Sequence, residues 1–193
     1  MGSALSREGR MGFHLESLHP VTLTQGFWAG VHEVTFAQFA KFCEDTGFQT
    51  DAEKGTGFDG VKVADFRVGK FRVDEDASWR TLFPEADSPV VGLTQKDAMT
   101  FCLWLSLQEQ AAHRLPEGYH YTLPTESQWE YACRAGSSEP YSFGKDMALL
   151  PRHANFADAN CRIGHAARQY DDGVGARPAA VGSYAPNAWG LHD

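Results

Sequence analysis

Thiols and imidazoles are the side chains with the widest chemical range, and in this chain both are scattered. Cys43, Cys102, Cys133 and Cys161 form no CxxC pair, so neither a zinc ribbon nor a dithiol redox centre is expected. Of the eight histidines, His153 and His165 flank Cys161, the latter as Cys161-x3-His165. Two or three donors without a second pair make a poor zinc site, and solvated loop residues are the better reading. Gly55, Gly57 and Gly60 in GTGFDG have the GxGxxG spacing. A dinucleotide loop, however, follows a strand and opens a helix, whereas this one follows DAEK and precedes a β-like run, which suits a hairpin turn. Glu126, Glu130 and Arg134 recur at i, i+4, i+8, a spacing that predicts a Glu130–Arg134 ion pair on a helix more readily than paired catalytic carboxylates. No GxSxG, Walker or HExxH motif is present.

The elements that must position these residues are partly legible. EVTFAQFAKFCEDTG predicts a helix capped by Thr35 and Gln38 and ended by Gly47, with Phe36, Phe39, Ala40 and Cys43 on one face. A second helix begins at Thr94, with Asp97 in its first turn and Ala98, Phe101, Cys102 and Leu105 facing the core, and must stop before Pro116. A third begins at the T-x-x-Q box of Thr125 and is expected to close at Gly136, burying Trp129, Ala132 and Cys133. Tyr119 to Leu123 reads as a short strand, and VKVADFRVGKFRV as a hairpin around Gly69 within a strand-and-turn region from Thr50 to Ser88. The five tryptophans, Trp28, Trp79, Trp104, Trp129 and Trp189, are expected in the core. Beyond Gly136 helical periodicity fades into Gly, Pro, Asn and Asp, the composition of long structured loops that a bound metal ion often holds. The expected class is α+β.

At 193 residues, one domain is the default. A charged fraction of 22% is that of a water-soluble chain, and no run of about 18 apolar residues is present to span a bilayer, so no membrane partner is expected. Asp and Glu outnumber Lys and Arg by 25 to 17, and the net charge of -8 repels phosphate backbones, so no nucleic-acid partner is expected either. Nothing at the N-terminus has the apolar core of a secretory signal, and no compartment is assigned.

YTLPTESQWEYACRAG, Tyr121 to Gly136, closely resembles the hallmark of the formylglycine-generating enzyme or sulfatase-modifying factor family. Further blocks follow in the family's order: Val21 to Phe42, Ser88 to Ser106, Ala154 to Cys161 and Arg177 to Asp193. The resemblance implies a variant of the C-type lectin fold, with two main helices, small antiparallel sheets and long ordered loops. It implies oxidation of a substrate cysteine in a C-x-P-x-R peptide or protein to Cα-formylglycine, using O2 and copper held by two thiolates, the soft ligands that suit Cu(I). None of the four cysteines matches that pair. The chain therefore resembles the middle of a sulfatase-modifying-factor-type domain over 1–193, lacking an opening strand and a C-terminal catalytic segment. By itself it is expected to be inactive and open to a completing chain or segment.

One structural calcium site is also implied, through the Asn155 and Asp172 side chains and the Phe156 and Val174 carbonyls, with Asp171 as the substitute for Asp172. Hard oxygens of this kind suit calcium. Two other readings share the domain: a non-catalytic lectin-like module that binds a peptide, glycan or protein, and the iron-dependent sulfoxide synthases, whose H-x3-H-x-E pattern is absent.

Overall fold

The computed structural model describes residues 19–55, 61–65, 70–161 and 166–192. Helix α1 (Phe36–Thr46) begins at a Thr35–Gln38 capping box and ends at Gly47 in the left-handed region. Its first amides, which have no partner inside the helix, are taken by neighbouring chain: Phe36 N–H donates to the Ser88 carbonyl (2.8 Å) and Ala37 N–H to that of Ala86 (3.1 Å). Helix α2 (Asp51–Lys54) follows, then β1 (Val61–Asp65) and β2 (Lys70–Asp74), an antiparallel pair with Val63 opposite Arg72. The expected hairpin is therefore present, although its turn at Gly69 lies outside the described residues. Helices α3 (Trp79–Leu82), α4 (Gln95–Ala111) and α5 (Glu126–Arg134) come next, and a 3-10 turn spans Met147–Arg152.

The core is aromatic and lies between α1, α3 and α4. Phe39, Phe42, Cys43, Trp79 and Phe101 are buried, with Phe36, Trp104 and Leu105 packed against them. Phe39 meets Trp79 edge-on at 5.1 Å, and Phe42 meets Phe101 edge-on at 5.7 Å, the geometry that aromatic quadrupoles favour. Two acids, Glu53 half-buried and Asp97 buried, tie the short elements to this core. Glu53 accepts from Trp79 Nε1 (3.1 Å) and pairs with Arg80 (2.7 Å). Asp97, 1% exposed, caps α4 through Thr94 N–H and also accepts from Asp51 N–H (3.1 Å), joining the starts of α2 and α4.

Several expectations need correction. Thr50 to Ser88 is not only strand and turn, since α2 and α3 lie within it. Helix α5 ends one residue early, with Ala135 already left-handed at φ 48°. Its apolar side is not buried: Trp129 is 61% exposed and Cys133 is exposed. Nor do all five tryptophans join the core, because Trp28 (73% exposed) and Trp189 lie at the surface. Tyr119 to Leu123 pairs with no strand among the described residues. It lies along α4 instead, Tyr121 N–H donating to Ser106 Oγ (2.8 Å) and Gln110 Nε2 to the Tyr119 carbonyl.

Candidate cation site

The long loop after α5 is fixed at several points. Ala185 N–H donates to the Arg152 carbonyl (2.8 Å), Val181 N–H to that of Asp87 (2.9 Å) and His192 N–H to that of Val31 (3.0 Å). Asn187 Nδ2 donates to the Ala132 carbonyl (2.9 Å), taking up a terminal acceptor of α5. Inside this frame the chain doubles back: Ala159 N–H donates to the Tyr170 carbonyl and Ala167 N–H to that of Ala157. The turn brings 155–160 against 170–174.

Three carboxylates meet there. Oxygens of Asp158, Asp171 and Asp172 lie within 4.8 Å of one another, the one such cluster among the described residues. Each serves as an acceptor for backbone amides. Asp172 receives Phe156 N–H (3.1 Å) on one oxygen and Val174 N–H (2.9 Å) on the other. Asp171 receives Gly173 N–H (2.8 Å), while Gly173 takes φ +84°, a conformation open to a residue without Cβ. Asp158, 1% exposed, receives Asn160 N–H (2.7 Å), Asn160 Nδ2 (3.1 Å) and Asp172 N–H (3.0 Å). Burial pushes its carboxyl pKa up, but the amides of Asp172 and Asn160 outweigh burial and hold the group below the usual carboxylate range.

Of the residues singled out in the sequence, Asp172 thus stands between Phe156 and Val174, contacting both through their amides. Asn155 precedes Phe156, and its Nδ2 donates to the Arg177 carbonyl (2.8 Å). Asp171, named as a substitute ligand, is in the cluster beside Asp172. Asp158 was not anticipated, and its one local signal is Asp158-x-Asn160, the spacing of an Asx turn. A compact set of hard oxygens with two or three negative charges suits a calcium-sized cation, which takes six to eight such ligands.

The remaining candidates do not assemble a site. Gly55 caps α2, so GxGxxG follows a helix, and Gly57 and Gly60 lie outside the described residues. His165 is likewise outside them, and His153 stacks on Phe143 at 4.5 Å. Arg134 and Glu130 form the expected ion pair (2.7 Å). No described cysteines are disulfide-bonded. Burial pushes the Cys43 thiol up to about 11 and raises that of Cys102 as well. Both shifts disfavour the free thiolate, and Cys43, 3% exposed within the aromatic core, presents no open face to a copper ion.

Residues 1–193 match the family model described as the sulfatase-modifying factor enzyme 1-like domain. Among similar proteins, the formylglycine-generating enzyme of Mus musculus is 24% identical over 87% of this chain and 46% of its own length. That of Mycobacterium tuberculosis is 29% identical over 97% of this chain and 67% of its own length. The chain spans about half the length of the mouse and Bos taurus relatives that it matches. The structure of PvdO from Pseudomonas aeruginosa covers 100% of this chain and 62% of its own, with a TM-score of 0.67 at 24% identity, a likeness of fold.

Proposed function

The chain belongs to the sulfatase-modifying factor enzyme 1-like family, and from that premise we propose that it serves the conversion of a substrate cysteine to formylglycine, on a scaffold whose 155–174 loop is organised by one calcium ion. The observation that carries the calcium part is the Asp172 carboxylate, which accepts the amides of both Phe156 and Val174 and so draws together the two blocks expected to hold the ion. Asp172 and Asp171 would hold it, together with Asn155 and the carbonyls of Phe156 and Val174. Calcium would supply no bond chemistry there, only charge balance for three crowded carboxylates and a cross-link within the loop.

The substrate reading draws on the names of the relatives. A peptide of the C-x-P-x-R type brings a guanidinium to a surface of net charge -8, and such complementarity speeds and orients encounter. A completing chain or segment would find apolar surface on α4, where Met99, Leu103 and Leu107 are exposed, and on α5 at Trp129. Apolar surface of that kind commonly marks an interaction site.

Deleting the gene in its native host and following the C-x-P-x-R cysteine by mass spectrometry tests the reading. Formylglycine should disappear and return on complementation. Conversion that continues in the deletion strain would reject the proposal and favour a lectin-like binding module.

A further inference from the structure

A second pair of chemically capable side chains lies away from the acidic loop. His32 precedes α1 and His192 lies at the far end of the described chain, yet their rings sit 4.7 Å apart at an interplanar angle of 41°. A backbone bond, His192 N–H to the Val31 carbonyl (3.0 Å), fixes the two segments together. His192 Nδ1 lies 2.8 Å from the Tyr184 carbonyl, which can only accept, so Nδ1 is the donor in that contact and Nε2 is the nitrogen left for a ligand. Metal-binding histidines are oriented in this way, with the second ring nitrogen donating to a carbonyl. Among the described residues, neither ring nitrogen of His32 has a hydrogen-bond partner. Its Nε2 edge lies over Gly182, where a Cβ would come within 2.9 Å. His192 and Gly182 line one cleft, whose charged lining residue is Glu33, and no Lys or Arg lines it.

We propose that His32 and His192 together bind a first-row transition-metal dication of the zinc type in an exchangeable two-histidine site completed by water, weaker than the four-ligand zinc centre whose second pair of donors this chain lacks. Imidazole nitrogens at about 2.0–2.1 Å suit such an ion, and the fold holds the two rings side by side at 4.7 Å. Calcium, a hard cation that selects oxygen, is not expected there. The two histidines come from chain segments about as distant in sequence as the described residues allow. A bound ion would therefore reinforce the Val31–His192 clasp in the same way that a ligand of the folded state stabilises by mass action.

The probe is Zn2+, titrated by calorimetry into the full chain in a large excess of Ca2+. One Zn2+ per chain should bind. His32→Gln and His192→Gln should each weaken it more than about tenfold, the least that losing even an outer partner costs a metal site. His113→Gln should leave it unchanged. Because His192→Gln also disturbs the Tyr184 contact, imidazole nitrogen resonances of the unaltered chain provide a second readout, in which Zn2+ should shift one nitrogen each of His32 and His192 in parallel. Equal affinity in both Gln variants, displacement by Ca2+, or shifts confined to other histidines would overturn the proposal.

Discussion

Replacing Asp158 with Ala removes the acceptor for two backbone amides, those of Asn160 and Asp172, and for one side-chain amide. Hydrogen bonds to a charged acceptor contribute about 1.5–3 kcal/mol each. Asn160 is exposed and its amide can recover a water, while the side-chain amide keeps Asp171 as a partner. Removing one of three crowded carboxylates also relieves repulsion in the calcium-free protein. The expected net loss without calcium is about 2 kcal/mol. The folded-state pKa of Asp158 is depressed, so its contribution is full above the unfolded value of about 3.9 and fades as pH falls through the lower folded value. Urea unfolding followed by tryptophan fluorescence reads this, since Trp79 is 1% exposed and reports the core. The stability gap between the unaltered chain and Asp158→Asn should narrow as pH falls from about 5 to about 2. A loss under about 0.5 kcal/mol in Asp158→Ala, or a gap independent of pH, would refute the reasoning.

Glu53 is depressed despite burial because Thr50, Arg80 and Trp79 all donate to it. Glu53→Gln should cost about 1–3 kcal/mol at neutral pH, and less as pH falls below about 4.3, measured by urea unfolding across pH. Asp97→Ala removes the α4 cap and its bond to Asp51, and should lower the melting temperature by about 2–4 °C for each kcal/mol lost, with about 1–3 kcal/mol expected. Leu103→Gln, at an exposed site, should change the stability of the chain by less than about 0.5 kcal/mol, whereas Phe42→Ala in the core should cost about 3–5 kcal/mol in the same assay.

Legibility in the sequence followed the range of the interaction. The caps at Thr35, Thr94 and Thr125 lie within three residues of their partners, and a capping box is visible at that distance. Thr50-x-x-Glu53 is the same device, but the four-residue helix it starts is too short to show a period. Periodicity also identifies a stripe without saying what covers it. The stripe of α1 meets α4, whereas that of α5 leaves Trp129 and Cys133 exposed. Tyr119 to Leu123 has the composition of a strand, but pairing needs a neighbour, and its backbone bonds to α4 side chains instead.

The acidic loop shows the same limit more sharply. Asp172 meets Phe156 across a separation of 16 residues, and Asp158 meets Asp172 across 14. No local spacing rule reaches that far, and Asn155, Phe156, Asp172 and Val174 came into view only through the family resemblance. Asp158 escaped because nothing in A-N-F-A-D-A-N distinguishes a carboxylate that turns inward from one in solvent. His32 and His192, still farther apart in the chain, were individually unremarkable in sequence for the same reason.

Calcium titration of the 193-residue chain, in calorimetry and in thermal melts, tests most directly whether the 155–174 loop is organised by a cation. The unaltered chain should bind one Ca2+ and melt at a higher temperature in its presence, since a ligand held only by the folded state stabilises it. Asp172→Ala should lose both the heat and the shift. No binding by the unaltered chain, or an undiminished calcium shift in Asp172→Ala, would contradict the account.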